Sequence, residues 1–186
     1  MLLELINNAI SNSLVEVTEK LVREAKEELV RQGHSLTGQL EDSIRYELTQ
    51  LPNVTQTIVF MANYGKYVDQ GVKAANIPFQ EGSGKKSSKY IDGLQRFWIL
   101  KGLPEDEALS AAFATAKKHK KEGMPTRDSY RFSQNGKRKG FFSDTVTDLQ
   151  DEIEQLGAIV GEKVRTSITN VIRRTVQEFE TVELGI

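Results

Sequence analysis

Residues 35–78 read Ser35-Leu-Thr-Gly-Gln-Leu-Glu-Asp-Ser-Ile44, then Arg45-Tyr-Glu-Leu-Thr-Gln-Leu-Pro52-Asn53-Val-Thr-Gln-Thr-Ile-Val-Phe-Met-Ala62, then Asn63-Tyr-Gly-Lys-Tyr-Val-Asp-Gln-Gly-Val72, and reach Ile77-Pro78 after Lys73-Ala-Ala-Asn76. Ser35-Leu-Thr-Gly stops a helix, and Gln39 to Ile44 offers either a short helical turn or the start of a strand. Ile44–Leu48 and Thr57–Ala62 are rich in β-branched and aromatic residues and read as strands joined by Pro52-Asn53 turn chemistry. Alternation places Ile44, Tyr46 and Leu48 on one face. Two strands alone are marginal in water, so this hairpin needs a cover.

The flanks supply it. In residues 2–32, Leu3, Ile6, Ile10, Leu14, Val17, Leu21, Ala25 and Leu29 recur at steps of three and four, the stripe of an amphipathic helix, and Gly33 is its stop. Lys89–Leu100 reads as a helix with Tyr90, Ile91, Leu94, Phe97, Trp98 and Ile99 as its apolar surface. After Gly102-Leu-Pro, a second helix opens on Pro104 and three acids and closes on lysines 117–121. Its face is Ala108, Leu109, Ala112, Phe113 and Ala116. Ser143-Asp144 caps a last helix running to about Glu180, striped by Val146, Leu149, Ile153, Leu156, Val160, Val164, Ile168, Val171 or Ile172, Val176 and Phe179. Such a helix outruns a small domain, so it breaks at Gly157 or Gly161 or packs on another chain. The expected fold is one α+β domain, 1–186. Residues 1–80 hold the first helix and the hairpin, a helical pair and a long basic loop fill 81–140, and a C-terminal helix occupies 141–186.

The 186 residues carry a formal charge of −1, yet the charge is unevenly spread. Between 117 and 139, Lys117, Lys118, Lys120, Lys121, Arg127, Arg131, Lys137, Arg138 and Lys139 face only Glu122 and Asp128, a net of +7. The remainder of the chain must then hold −8. Such polarity favours head-to-tail contact between copies or contact with a polyanion, and the nine cations are the candidate contact residues for either. Tyr130 and Phe132, interleaved with them, add stacking surfaces for bases.

Chemistry is poorly served. With no cysteine, disulfides and thiolate sites are excluded. His34 and His119 have no metal-ligand spacing and read as solvated side chains. Gly82-Ser-Gly-Lys-Lys-Ser-Ser lacks the Walker spacing and reads as linker. Asp69, beside Tyr67 and Gly71, is the best isolated candidate for a carboxylate role. No catalytic residue, metal or cofactor is expected, no run of about 18 apolar residues spans a membrane, and the N-terminus lacks the pattern of a secretory signal.

Thr37-Gly38-Gln39-Leu40 with Ser43-Ile44, the hairpin, Tyr64-Gly65-Lys66-Tyr67-Val68-Asp69-Gln70-Gly71-Val72 and Ile77-Pro78 together resemble the tail-completion (neck, or head–tail connector) proteins of tailed bacteriophages. The likeness covers roughly residues 1–80 in motif and the remainder in order of elements only. The helical pair, the basic segment and Gly123-Met-Pro-Thr-Arg127 depart from it. It implies a non-enzymatic virion protein, assembled in the host cytoplasm. Such a protein would form a homo-oligomeric ring with portal and neighbouring neck or tail proteins, lining or sealing the channel for packaged DNA. Thr37, Gly38, Tyr64, Gly65, Tyr67, Val68, Asp69 and Gly71 carry the motif. The alternative, drawn from charge alone, is a DNA-binding module using 117–139.

Overall fold

The computed structural model describes residues 2–51, 54–82 and 88–183. The elements in chain order are α1 (Leu2–Arg31), α2 (Gln39–Ser43), β1 (Arg45–Leu51), β2 (Val54–Phe60), α3 (Gly65–Gln70), α4 (Lys89–Leu100), α5 (Glu105–Glu122), α6 (Ser143–Asp148) and α7 (Gln150–Glu183). Short 3-10 turns lie at Ala74–Asn76 and Arg127–Phe132. The fold is α+β: mostly helix, with one antiparallel two-stranded sheet in register from Arg45↔Phe60 to Leu51↔Val54. The Pro52-Asn53 turn, the middle of the 82–88 linker and the side chains of Leu3, Val176 and Phe179 fall outside the described residues.

The chain forms two compact units, each assembled from separated stretches. The first comprises Met1–Glu28, Thr37–Ala62 and Phe142–Ile186; the second comprises Leu29–Leu36 and Asn63–Phe141. The segment 1–80 is therefore shared between them, as is α1.

In the first unit, α1 carries the hairpin through side-chain hydrogen bonds. The Thr18 hydroxyl meets Thr57 Oγ1 at 2.8 Å, the Tyr46 hydroxyl donates to Glu19 at 2.8 Å, and Gln50 donates to Ser11. The fully buried apolar residues of this unit are few: Ala25, Leu40, Ile44 and Leu149. The α1 stripe is half-buried from Ile6 to Leu21 and closes over only at Ala25. Ile44 does not begin a strand as alternation predicts. It caps α2 and is buried there at 1% exposure, which shifts β1 one residue later.

The last helix is also not one piece. It is interrupted at the buried Leu149, whose ψ of 3° leaves helical geometry. Gly157 and Gly161, the predicted break points, lie inside uninterrupted helix. From Gln150 the helix runs for 34 residues, about 50 Å. Along it Leu156, Val160, Val164, Ile168 and Val171 form the expected stripe, yet none is more than half-buried.

The second unit has the denser core. Helices α4 and α5 pack on each other through buried Ile91, Ala112 and Ala116, with Phe79, Tyr90, Leu94, Trp98, Leu109 and Phe113 around them. The three buried alanines of α5 allow close helix approach, as the sequence predicts. Ser88 caps α4 by accepting the Ile91 N–H at 3.2 Å, and Trp98 Nε1 donates to Thr115 Oγ1 at 3.0 Å. Phe97 and Ile99, expected on this face, are exposed instead. Two successive residues cannot share a helix face with Trp98.

Candidate assembly surfaces

The motif Tyr64–Val72 builds a platform for the basic segment. Tyr64 O accepts the N–H groups of Tyr67 and Val68, starting α3, and Gly71 ends the helix at φ 77°, ψ −178°. Val72 and Met124 then exchange a pair of main-chain hydrogen bonds, both 2.8 Å, and Asp69 O accepts the Gly140 N–H at 2.8 Å. Glycine is required here by contact as well as by angle. A Cβ on Gly71 would lie 2.5 Å from Met124 O, and one on Gly123 would lie 2.6 Å from Val72 O. Gly65 and Asp69 are buried, Val68 is half-buried, and Tyr64 and Tyr67 are exposed, with the Lys66 ammonium 4.9 Å from the Tyr67 ring. Thr37 and Gly38, the other motif residues, belong to the first unit. There Gly38 takes φ 72° before α2, and Thr37 Oγ1 accepts the Gln39 N–H at 3.5 Å.

The segment expected as a long basic loop is an ordered, fastened stretch. Gln134 N–H donates to Arg31 O at 2.8 Å, Gln32 Nε2 donates to Lys139 O at 2.9 Å, and Arg138 reaches Gln32 O. These bonds tie it to the end of α1. That end is a paired glycine stop, with Gly33 N–H on Val30 O and His34 N–H on Leu29 O.

The nine cations have different fates. Lys117 pairs with Glu81 at 2.7 Å, Lys118 pairs with Asp128, and Lys120 donates to Ile77 O at 3.1 Å and Ala75 O at 3.4 Å. Arg138 is half-buried in the fold. Lys121, Arg127, Arg131, Lys137 and Lys139 remain exposed. Arg131 lies 4.8 Å from the ring of Phe132, which is itself 62% exposed. An exposed surface of cations and aromatics therefore survives, built by about half the predicted residues. Surface ion pairs such as Lys117–Glu81 hold their partners only weakly.

Neither histidine is a solvated side chain, contrary to the sequence reading, because the fastened basic segment and α4 cover them. His34 Nε2 donates to Arg138 O at 3.3 Å, and burial, helped by the nearby Arg138 cation, lowers its pKa to about 4. His119 Nδ1 lies 2.7 Å from the Tyr90 hydroxyl; burial lowers its pKa, with Glu122 opposing. Burial also raises the Tyr90 phenol to about 12. A depressed folded pKa stabilises the fold above the unfolded value. Below pH 6.5 the unfolded chain takes up a proton that folded His34 refuses until about pH 4, so stability is lost across that window. Urea midpoints should fall as pH drops from 7 to 4.5, and His34→Gln should flatten the fall. An unaltered slope in that variant would contradict the burial of a neutral imidazole.

The first unit presents a surface that sequence reading did not single out. Tyr46, Thr55, Thr57 and Val59 face inward and are half-buried, whereas Leu51, Val54, Ile58 and Phe60 on the opposite face are 36–58% exposed. Ile58 and Phe60, in the strand read over Thr57–Ala62, are therefore not core within this chain. In β2 the inward set is thus two threonines and a valine, and the outward set includes valine, isoleucine and phenylalanine. The signal was present at the even positions 54, 58 and 60, but a strand's pattern alone does not say which face the chain itself covers. Arg45 and Glu47, paired with each other, frame this face, with the Arg45 guanidinium 4.8 Å from the Phe60 ring.

Among the described residues, no three metal-ligating side chains converge, and no helix is long and apolar enough to cross a membrane. Family models, curated proteins and solved structures alike gave no match to this chain.

Proposed function

We propose that this chain is a non-enzymatic structural subunit. Its copies assemble into a ring at the head–tail junction of a tailed-phage virion, contacting portal and neighbouring neck or tail proteins around the DNA channel. One observation carries the assembly part: on the hairpin face opposite Tyr46 and Val59, four large apolar side chains, Leu51, Val54, Ile58 and Phe60, stay 36–58% exposed. Several large apolar side chains exposed on one sheet face, interleaved with polar ones, suit an association surface. The weakly buried stripe of α7 points the same way, since a helix of that length with no fully buried side chain among Leu156, Val160, Val164 and Ile168 gains little from its own unit. The phage setting rests on the order of motifs in residues 35–78. Negative-stain microscopy of the protein mixed with purified portal should show added ring density on the portal's tail side. Portal particles unchanged at saturating protein would remove the head–tail role.

A further inference from the structure

Deepening that reading, and resting on it, we propose that contacts between copies are head to tail. The basic, aromatic surface of one copy's second unit covers the apolar outer hairpin face on the next copy's acidic first unit.

Folding divides the charge between the two units. The first unit holds 18 acidic and 8 basic residues, a formal −10; the second holds 8 acidic and 17 basic, a formal +9. The near-neutral chain is thus two oppositely charged bodies, a sharper division than the +7 and −8 legible along the sequence. Two first units brought face to face repel, and so do two second units. An isologous contact through either body therefore opposes like charges, while a heterologous contact pairs unlike ones.

Each body also exposes apolar groups suited to the other. The hairpin face offers Val54, Ile58 and Phe60 between charged neighbours. The second unit offers Phe132, Tyr130 and Tyr67, two of them under a cation, with Lys121, Arg127 and Arg131 exposed nearby in sequence. Aromatic and arginine side chains on an interface supply its anchoring contacts, and the surrounding charge sets the partner and orientation. A polyanion would also satisfy the cations, but it would leave the hairpin face uncovered. A second copy satisfies both.

The test is a charge swap on the full chain. Variant one reverses Lys121, Arg127 and Arg131 to Glu; variant two reverses Asp42, Glu47 and Asp151 to Lys. All six side chains are exposed. Each variant alone should raise the concentration for half-assembly at least about tenfold at low salt. An equimolar mixture should restore it to within about threefold of wild type, because each variant then meets its complement. Wild-type assembly should also weaken as salt rises from about 0.05 to 0.5 M, a readout independent of whether the variants fold.

If variant one assembles normally, the second unit is not the partner surface and the proposal falls. Loss of duplex DNA retention in that same variant would assign the cations to DNA instead. Failure of the mixture to recover, with both variants folded by circular dichroism, also overturns it, as does salt-independent wild-type assembly. In each case a wild-type ring still seen by mass photometry leaves the assembly reading standing. A wild-type chain that stays monomeric removes both.

Discussion

Gly71→Ala should cost the fold on the order of 3 kcal/mol. At φ 77° and ψ −178° the backbone occupies a region reserved almost wholly for glycine, which alone costs about 1–3 kcal/mol for another residue. The new Cβ would also press 2.5 Å from Met124 O, where the main-chain pair with Val72 leaves no room to yield. The expected result is a lower urea midpoint with the slope unchanged. Gly93→Ala is the matched control. Gly93 sits inside α4 with nothing within 4 Å of its Cβ position, so alanine should stabilise by about 0.5–1 kcal/mol. Equal effects at the two positions would mean that the motif is not the anchor of the basic segment.

The second large effect lies in assembly and should be nearly silent in monomer stability. Ile58→Asp and Phe60→Asp change side chains that are 43% and 36% exposed, so each should alter the unfolding free energy of the isolated chain by about 0.5–1 kcal/mol. As anchors of a subunit contact they should each weaken association by at least about 2 kcal/mol, or roughly 30-fold. Sedimentation velocity over a dilution series separates the two quantities. A variant that unfolds but would still associate, or one that folds and associates as wild type, would place the contact elsewhere.

The architecture was legible where one face of a periodic element meets its own chain. The α5 face Ala108, Ala112 and Ala116 and the Gly33 stop followed directly from spacing, because burial there is local and the residues are of one kind. Reading failed where tertiary contact decides. Ile44 left the strand to fill the core, and His34 was covered by a segment about a hundred residues away. The basic segment looked like a loop because its anchors, Val72–Met124 and Asp69–Gly140, are main-chain hydrogen bonds that side-chain patterns do not encode. The outward side of the hairpin was illegible for a different reason. Its apolar residues were recognised, but the chain places them outward, which only the position of α1 reveals.

The motif that opened the reading has become more specific in role. Gly71 and Asp69 fasten the basic segment, and Tyr64 and Tyr67 remain on the surface. None of these residues needs a reactive group for that work.

Self-assembly is the claim on which the rest depends, and mass photometry of the purified full chain tests it most directly. The account predicts a discrete closed species at a fixed multiple of 20.9 kDa that persists on dilution at low salt. A single 20.9 kDa peak at every concentration and salt would contradict it.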